Sequence, residues 1–356
     1  MNKIFINKVE IDNLWDKYKV DWNLHKGVNI LIGKNGTGKS TILDIIDATL
    51  SEREDLAKKY SFSNINIKFS NNTGVQIKHN KHEISNEYNK EEMLKMLKRL
   101  QDDILTKISD SKEISDSKEI SILNKDSNKQ KLKFPEIIRI STFDMELQNK
   151  RAIKNYGDKK SIQTELDLIL DNLINEFKLF QLKLKNRVEE ESEKIDERIK
   201  NLTSSLTDNN DELLILKRLV QEKEEKIKLI FEYKDKFKNI INKLFSSTNK
   251  VLTLDENNSI IFDFEDRVIS PYQLSSGEKQ ILMILLTVIL KENTNFILLM
   301  DEPEISLHVE WQKEFLNSLV DLNPNMQIIL ATHSPAIVTK GWKDKVTKIS
   351  NIISKV

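Results

Sequence analysis

Apolar positions change their period several times along the chain. "KIFINKVEI" and "KYKVDWNLH" alternate in part, as strands with one buried face do. Val28–Ile32, "VNILI", is a short apolar run, interrupted only by Asn29, that stops at Gly33, the pattern of a buried strand. Beyond it Ile42, Leu43, Ile45, Ile46 and Leu50 recur at helical spacing, which predicts a helix starting at Gly38 or Lys39 with one face against a sheet. "INIKFSNNTGVQIKH" predicts a hairpin turning between Asn71 and Gly74, and "FPEIIRIST" a buried strand at Ile137 to Thr142.

From Ser161 to Phe245 the period is that of long helices. Positions 213, 216, 220, 223, 227, 230, 234, 237, 241 and 244 alternate steps of three and four, and only Lys223 and Lys234 among them are not apolar. An earlier series runs through Leu166, Leu170, Leu173, Phe177, Phe180, Leu184 and Val188, then resumes at Ile195, Ile199 and Leu202 after the charged "EEESEK". "TSSLTDNND" between the two series is a turn signal. Two antiparallel helices of this length would project roughly 60 Å if straight; the alternative is a helical subdomain folded against the rest of the chain.

The remaining chain returns to short elements. "KVLTLDENNSIIFDF" predicts a hairpin with its turn at Asp255 to Asn258, followed by a helix from about Glu278, a strand "NFILLMD", a helix from about Val309 and a strand "MQIILATH". Alternating strands and helices of this kind imply an α/β fold, a mainly parallel sheet covered by helices. Residues 109 to 130 differ in kind. "SDSKEISDSKEI", Ser109 to Ile120, is a tandem six-residue repeat in a run of Ser, Asp, Asn and Lys, so a mobile insertion is expected at about 106–131, a partner-docking loop being the alternative. The expected division is 1–160 and 246–356 as two halves of one head, with 161–245 inserted between them.

Composition narrows the classes. The chain has no cysteine, which removes disulfides, thiolate metal sites and a cysteine nucleophile and suits a reducing compartment. The first residues lack the apolar run of a signal peptide and no later segment reaches a membrane-spanning length, so a cytoplasmic protein without membrane partners is expected. Lys plus Arg and Asp plus Glu each total 56, and this balance leaves nucleic-acid binding open, without a global basic field to argue for it.

Three stretches carry chemistry. "GKNGTGKST", Gly33 to Thr41, lies between the apolar strand and the amphipathic helix and fits a phosphate-binding loop. Its glycines, Gly33, Gly36 and Gly38, let the backbone of Asn35 and Thr37 wrap phosphates. Lys39 would neutralise the β and γ phosphates, Ser40 would ligate Mg²⁺, and Thr41 completes the expected nucleotide-binding set. In "FILLMDEPE" an apolar strand delivers Asp301 to a sheet edge, where it can hold Mg²⁺, and Glu302 follows in a place suited to polarise water. His333 follows the apolar strand Ile328 to Ala331 as a polar tip would. "LSSGEKQ", with Ser275, Ser276, Gly277 and Glu278, reads locally as a Ser-capped helix N-terminus. His79 and His82, three apart, read as loop residues without a further ligand nearby.

Taken in order, "GKNGTGKST", "LSSGEKQ", "LLMDEPEISLHVEWQ" and "ATHSP" resemble the ATP-binding-cassette (ABC) ATPases of the SMC, Rad50, RecF and OLD group. The resemblance covers residues 1 to about 60 and 270 to 340. It implies an ABC-type head with a mainly parallel sheet, an antiparallel β subdomain and an inserted antiparallel helical hairpin, far shorter here than the arms of Rad50-like proteins. It implies ATP and Mg²⁺ as ligands and a homodimer or higher oligomer through the heads, in which Ser275 to Glu278 of one head cap the γ-phosphate bound to the other. It further implies Glu302 as catalytic base, His333 as the histidine that contacts the γ-phosphate, and Ser306 to His308 as a loop crossing the dimer interface. A Mg²⁺-sensing glutamine is implied after the strand at 137 to 142, with Gln148 the nearest candidate.

Within that group "DEPEISLHVEWQ" and "ATHSPAIVTKGW" are most similar to small bacterial anti-phage ATPases of the OLD-like, retron-associated, Septu and PARIS systems. OLD proteins also carry a Toprim nuclease, for which too few residues follow Pro335. The resemblance therefore implies a sensor or scaffold controlling a separate effector, a nuclease or toxin. A RecF-like DNA-repair ATPase is the alternative, and a transporter subunit is disfavoured by the long helical insertion.

Overall fold

The computed structural model describes residues 3–51, 59–78, 119–123, 134–141, 164–204, 210–338 and 341–356. Its central sheet has five strands: β3 (Val28–Ile32), β7 (Glu136–Ser141), β11 (Phe296–Asp301), β12 (Gln327–Thr332) and β13 (Val346–Lys348). They lie in the order β13-β3-β12-β11-β7, every neighbouring pair parallel. Both faces are covered, which explains the unbroken apolar runs: Leu298, Met300, Ile328 and Leu330 enter one core, while Ile297, Leu299, Ile329 and Ala331 enter the other.

The second core is closed by helix α1 (Lys39–Leu50) and an antiparallel sheet. That sheet contains β1 (Ile6–Leu14), β2 (Tyr18–Asn23), β4 (Asn64–Phe69), β5 (Gly74–Lys78), β6 (Glu119–Leu123) and β14 (Ile353–Lys355), ordered β14-β2-β1-β4-β5-β6. The expected hairpin at 71–74 is the β4–β5 connection, with Lys68 opposite Gly74. One expectation is corrected here. Residues 119–123, inside the insertion read as mobile, form β6 and pair with β5 from Gly74↔Leu123 to Lys78↔Glu119. Backbone pairing along an open strand edge does not require an apolar composition, so low complexity hid it. The rest of that insertion, His79, His82 and Gln148 lie outside the described residues.

The first core is closed by α2 (Glu165–Ser204), α3 (Asn210–Phe245), α4 (Ser276–Ile289) and α5 (Val309–Leu322). A small antiparallel sheet, β8 (Lys250–Leu254), β9 (Ile260–Phe264) and β10 (Arg267–Ile269), adjoins them. Helices α2 and α3 combine both alternatives drawn from their periodicity. At the base, Leu170, Phe177, Phe180 and Leu184 pack with Phe237, Ile241 and Leu244 into the head core, the Phe177 and Phe237 rings 5.3 Å apart. Further out the helices hold each other through Ile195 and Leu219 and through ion pairs Glu191–Lys226, Asp196–Lys223 and Arg198–Glu222.

The seam read from the sequence does not persist to the outer end. Leu213 and Val220 are exposed, and Leu219 is buried instead. A straight helix rotates about 20° per heptad away from a seven-residue stripe, so four heptads turn it well off its partner. Near the end of the chain a short helix α6 (Ile349–Ile352) links β13 to β14. No helix among the described residues is long and apolar enough to cross a membrane.

Candidate nucleotide site

Strand β3 ends at Ile32, and the chain loops from Gly33 through Gly38 into α1. Gly38, at φ 97°, holds the left-handed cap position of that helix, where a side chain would be strained. It is crowded as well: a Cβ there would sit 2.4 Å from Cη2 of Trp15, whose own φ is 54°. Nothing in the period of β1 foretold this contact, which comes from a tight turn with positive φ at Asn13, Trp15 and Asp16. Asn35, Gly36 and Ser40 are exposed along the loop, and the Thr37 hydroxyl donates to the Lys34 carbonyl at 2.7 Å.

Lys39 is buried, and its Nζ donates to the carbonyls of Gly33 (3.2 Å) and Lys34 (3.4 Å) and meets Nε2 of His333. Burial pushes its ammonium toward deprotonation, opposed by the fields of Glu302, Asp301 and Glu304. These acids arrive from β11 and the turn after it. Glu302 takes φ 47°, donates its N–H to the Ala331 carbonyl at 2.8 Å, and holds Oε1 3.3 Å from Nε2 of His333. Burial raises its pKa, and the neighbouring His333 offsets part of that rise. A cavity of ≈ 410 Å³ opens beside this cluster, lined by Gly33, His333, Ser334, Pro335, Val338 and Lys343.

Asp301 is buried at the end of β11, where burial pushes its carboxyl up while a hydrogen bond with Ser40 and the Arg139 charge pull it down. Arg139, on β7, lies 3.9 Å from Asp301 and pairs closely with Asp44 of α1, to which the Tyr60 hydroxyl also donates. Asp301 and Ser40 offer hard oxygen atoms side by side, and a divalent cation would stabilise the buried carboxylate, so the pair suits Mg²⁺. No three His, Cys, Asp or Glu side chains among the described residues form a metal cage. A Mg²⁺ here would therefore take its other oxygens from phosphate and water.

The Ser275–Glu278 turn packs elsewhere. Ser275 caps α4 in a reciprocal box: its Oγ accepts from the Glu278 N–H at 3.3 Å, and Glu278 Oε2 accepts from the Ser275 N–H at 2.8 Å. Glu278 is buried and paired with Lys250 at 2.8 Å, so its side chain is turned inward, while Ser275 and Ser276 stay exposed. Gly277 abuts the turn after β11, where a Cβ would fall 2.3 Å from the carbonyl oxygen of Ser306, a residue at φ 72°. Gln280 Nε2 donates to the Pro303 carbonyl at 2.8 Å. Gly277→Ala is therefore expected to cost about 1–3 kcal/mol of stability through overpacking, read as a lower denaturant midpoint at unchanged slope. An unchanged midpoint would mean that the turn yields freely.

The model of the AAA ATPase domain family matches residues 5–338. The chain belongs to this family. Among the relatives of this AAA ATPase is a protein of Vibrio cholerae serotype O1 biovar El Tor named "Retron Vc95 probable ATPase", 26% identical over 376 residues that span 92% of this chain and 70% of that one. Solved structures similar to the AAA ATPase include the SMC head domain of Pyrococcus furiosus bound to the C-terminal domain of ScpA, at 14% identity and TM-score 0.41, covering 99% of this chain and 96% of that one. Another is the recombination mediator RecF with bound ATP, at 16% identity and TM-score 0.42, covering 99% of each chain.

Proposed function

We propose that this AAA ATPase works as an ABC-type head that binds and hydrolyses ATP, dimerises through its heads, and controls a separate nuclease or toxin in bacterial anti-phage defence. The observation that carries the hydrolytic part is the meeting of Lys39, Glu302 and His333 beside Asp301 at the ends of β3, β11 and β12. The loop N–H groups and Lys39 bind and orient the phosphates. Glu302 takes a proton from the attacking water, and His333 turns Nε2 toward the terminal phosphate. Asp301 and Ser40 would hold Mg²⁺, which when bound would supply charge neutralisation on the phosphate oxygens.

Exposed Ser275 and Ser276 at the N-terminus of α4 suit an anion presented by a second copy, which supports a dimer with shared sites. The defence role is supported by the retron ATPase, whose similarity extends over nearly the whole chain. The test is affinity purification of the Glu302→Gln protein from its host with ATP and Mg²⁺ present, followed by identification of bound proteins and nucleic acids. A stoichiometric nuclease, toxin or reverse transcriptase is the expected result. Recovery of DNA with repair proteins and no effector would replace this reading with that of a DNA-repair ATPase.

A further inference from the structure

Glu304 is the acid that the proposed reaction leaves unused. It is 8% exposed, two residues past Glu302, in the turn between Glu302 at φ 47° and Ser306 at φ 72°. Its Oε1 accepts three hydrogen bonds from one segment: Thr332 Oγ1 at 2.5 Å, the His333 N–H at 2.9 Å and the Ser334 N–H at 3.1 Å. Its Oε2 is buried and has no hydrogen-bond partner among the described residues. A carboxylate placed this way is poorly suited to hold a metal or receive a proton from water, because one oxygen is saturated and the other is sealed. It does tie two loops together. Gln312 extends the tie, since its Oε1 accepts from the Ser334 hydroxyl at 2.5 Å and its Nε2 donates to the Leu307 carbonyl at 2.9 Å.

We infer that Glu304 is a positioning residue: by clamping the backbone of Thr332 to Ser334 onto the turn after β11, it holds His333 Nε2 between Lys39 and Glu302. The inference rests on the proposed ATPase reaction and on His333 acting in it. Burying a carboxylate is costly unless it is hydrogen-bonded, and three bonds to consecutive residues leave the histidine loop little freedom. What the clamp needs is an acceptor at the Oε1 position, so an amide can replace the carboxylate.

The test measures ATP affinity, with a fluorescent analogue, and kcat for wild type, Glu304→Ala, Glu304→Gln, His333→Ala and the double variant Glu304→Ala/His333→Ala. Glu304→Ala is expected to lower kcat by about 10- to 100-fold at nearly constant affinity, with Glu304→Gln within about tenfold of wild type. The double variant should turn over no more slowly than His333→Ala alone, because the clamp acts only through the histidine. Should Glu304→Ala fail to fold, Thr332→Val removes one clamp bond while keeping the side-chain shape, and it should lower kcat only where His333 is present. Independent, multiplicative losses, or a Glu304→Gln as impaired as Glu304→Ala, would overturn the inference while leaving the ATPase reading intact. Full turnover in His333→Ala would overturn both the inference and the role given to His333. Absence of ATP hydrolysis by the wild type would remove the ATPase reading itself, and the inference with it.

Discussion

Lys39→Ala should leave a folded protein that no longer retains ATP, its affinity falling by about 100-fold or more. The ammonium stands among Asp301, Glu302 and Glu304, and its hydrogen bonds to the Gly33 and Lys34 carbonyls keep it beneath the loop. Truncation would leave the charges of Asp301 and Glu302 close to an incoming triphosphate without the cation that offsets them. The fold should tolerate the loss, because burial already works against the charged form of Lys39 and the core below α1 is built from Ile42, Leu43, Ile45 and Ile46. Titration with a fluorescent ATP analogue, alongside thermal unfolding, separates the two effects. Affinity within tenfold of wild type in a folded variant would remove Lys39 from the phosphate-binding role.

Glu302→Gln should bind ATP normally and hydrolyse it about 10²- to 10³-fold more slowly. The backbone at Glu302 is held in the left-handed region by the bond from its N–H to the Ala331 carbonyl. An amide of the same shape should therefore stand where the carboxylate stood, 3.3 Å from His333 Nε2, with no ability to take up a proton. Because nucleotide would then persist, the variant should accumulate as a dimer in ATP and Mg²⁺, visible by sedimentation. Single-turnover rates equal to wild type would place the base elsewhere.

Much of this site was legible because its signals are local. The strand, glycine turn and helix from Val28 to Leu50, the acid after Phe296–Met300 and the histidine after Ile328–Ala331 each announce themselves within one continuous stretch of sequence. The parallel strands were legible for a related reason: burial on both faces leaves apolar runs in β11 and β12, and these two and the half-buried edge strand β7 appear within a residue or two of their expected limits. Contacts that depend on distant segments were not legible. Trp15 reaches Gly38 through positive φ at polar and aromatic residues that carry no glycine to mark them. Arg139 meets Asp44 only because β7 and α1 are brought together by β11. Strands β13 and β14 are three residues each, too short to show a period, yet they form the edge of one sheet and the edge of the other.

The position of β3 has a bearing on how this protein is made. Its strand neighbours are β12 and β13, both of which follow residue 326, so the proposed phosphate loop hangs from a strand whose two lateral partners leave the ribosome some three hundred residues after it. Until then the nascent chain carries Val28–Ile32 without its lateral partners, and the apolar face of α1 is covered only by the early strands β1, β2, β4 and β5. Contacts this distant in sequence close slowly and leave sticky intermediates. Production of this ATPase should therefore lean on chaperones that shelter the amino-terminal half, and a translational stall before β12 should yield an insoluble fragment that has no ATPase activity.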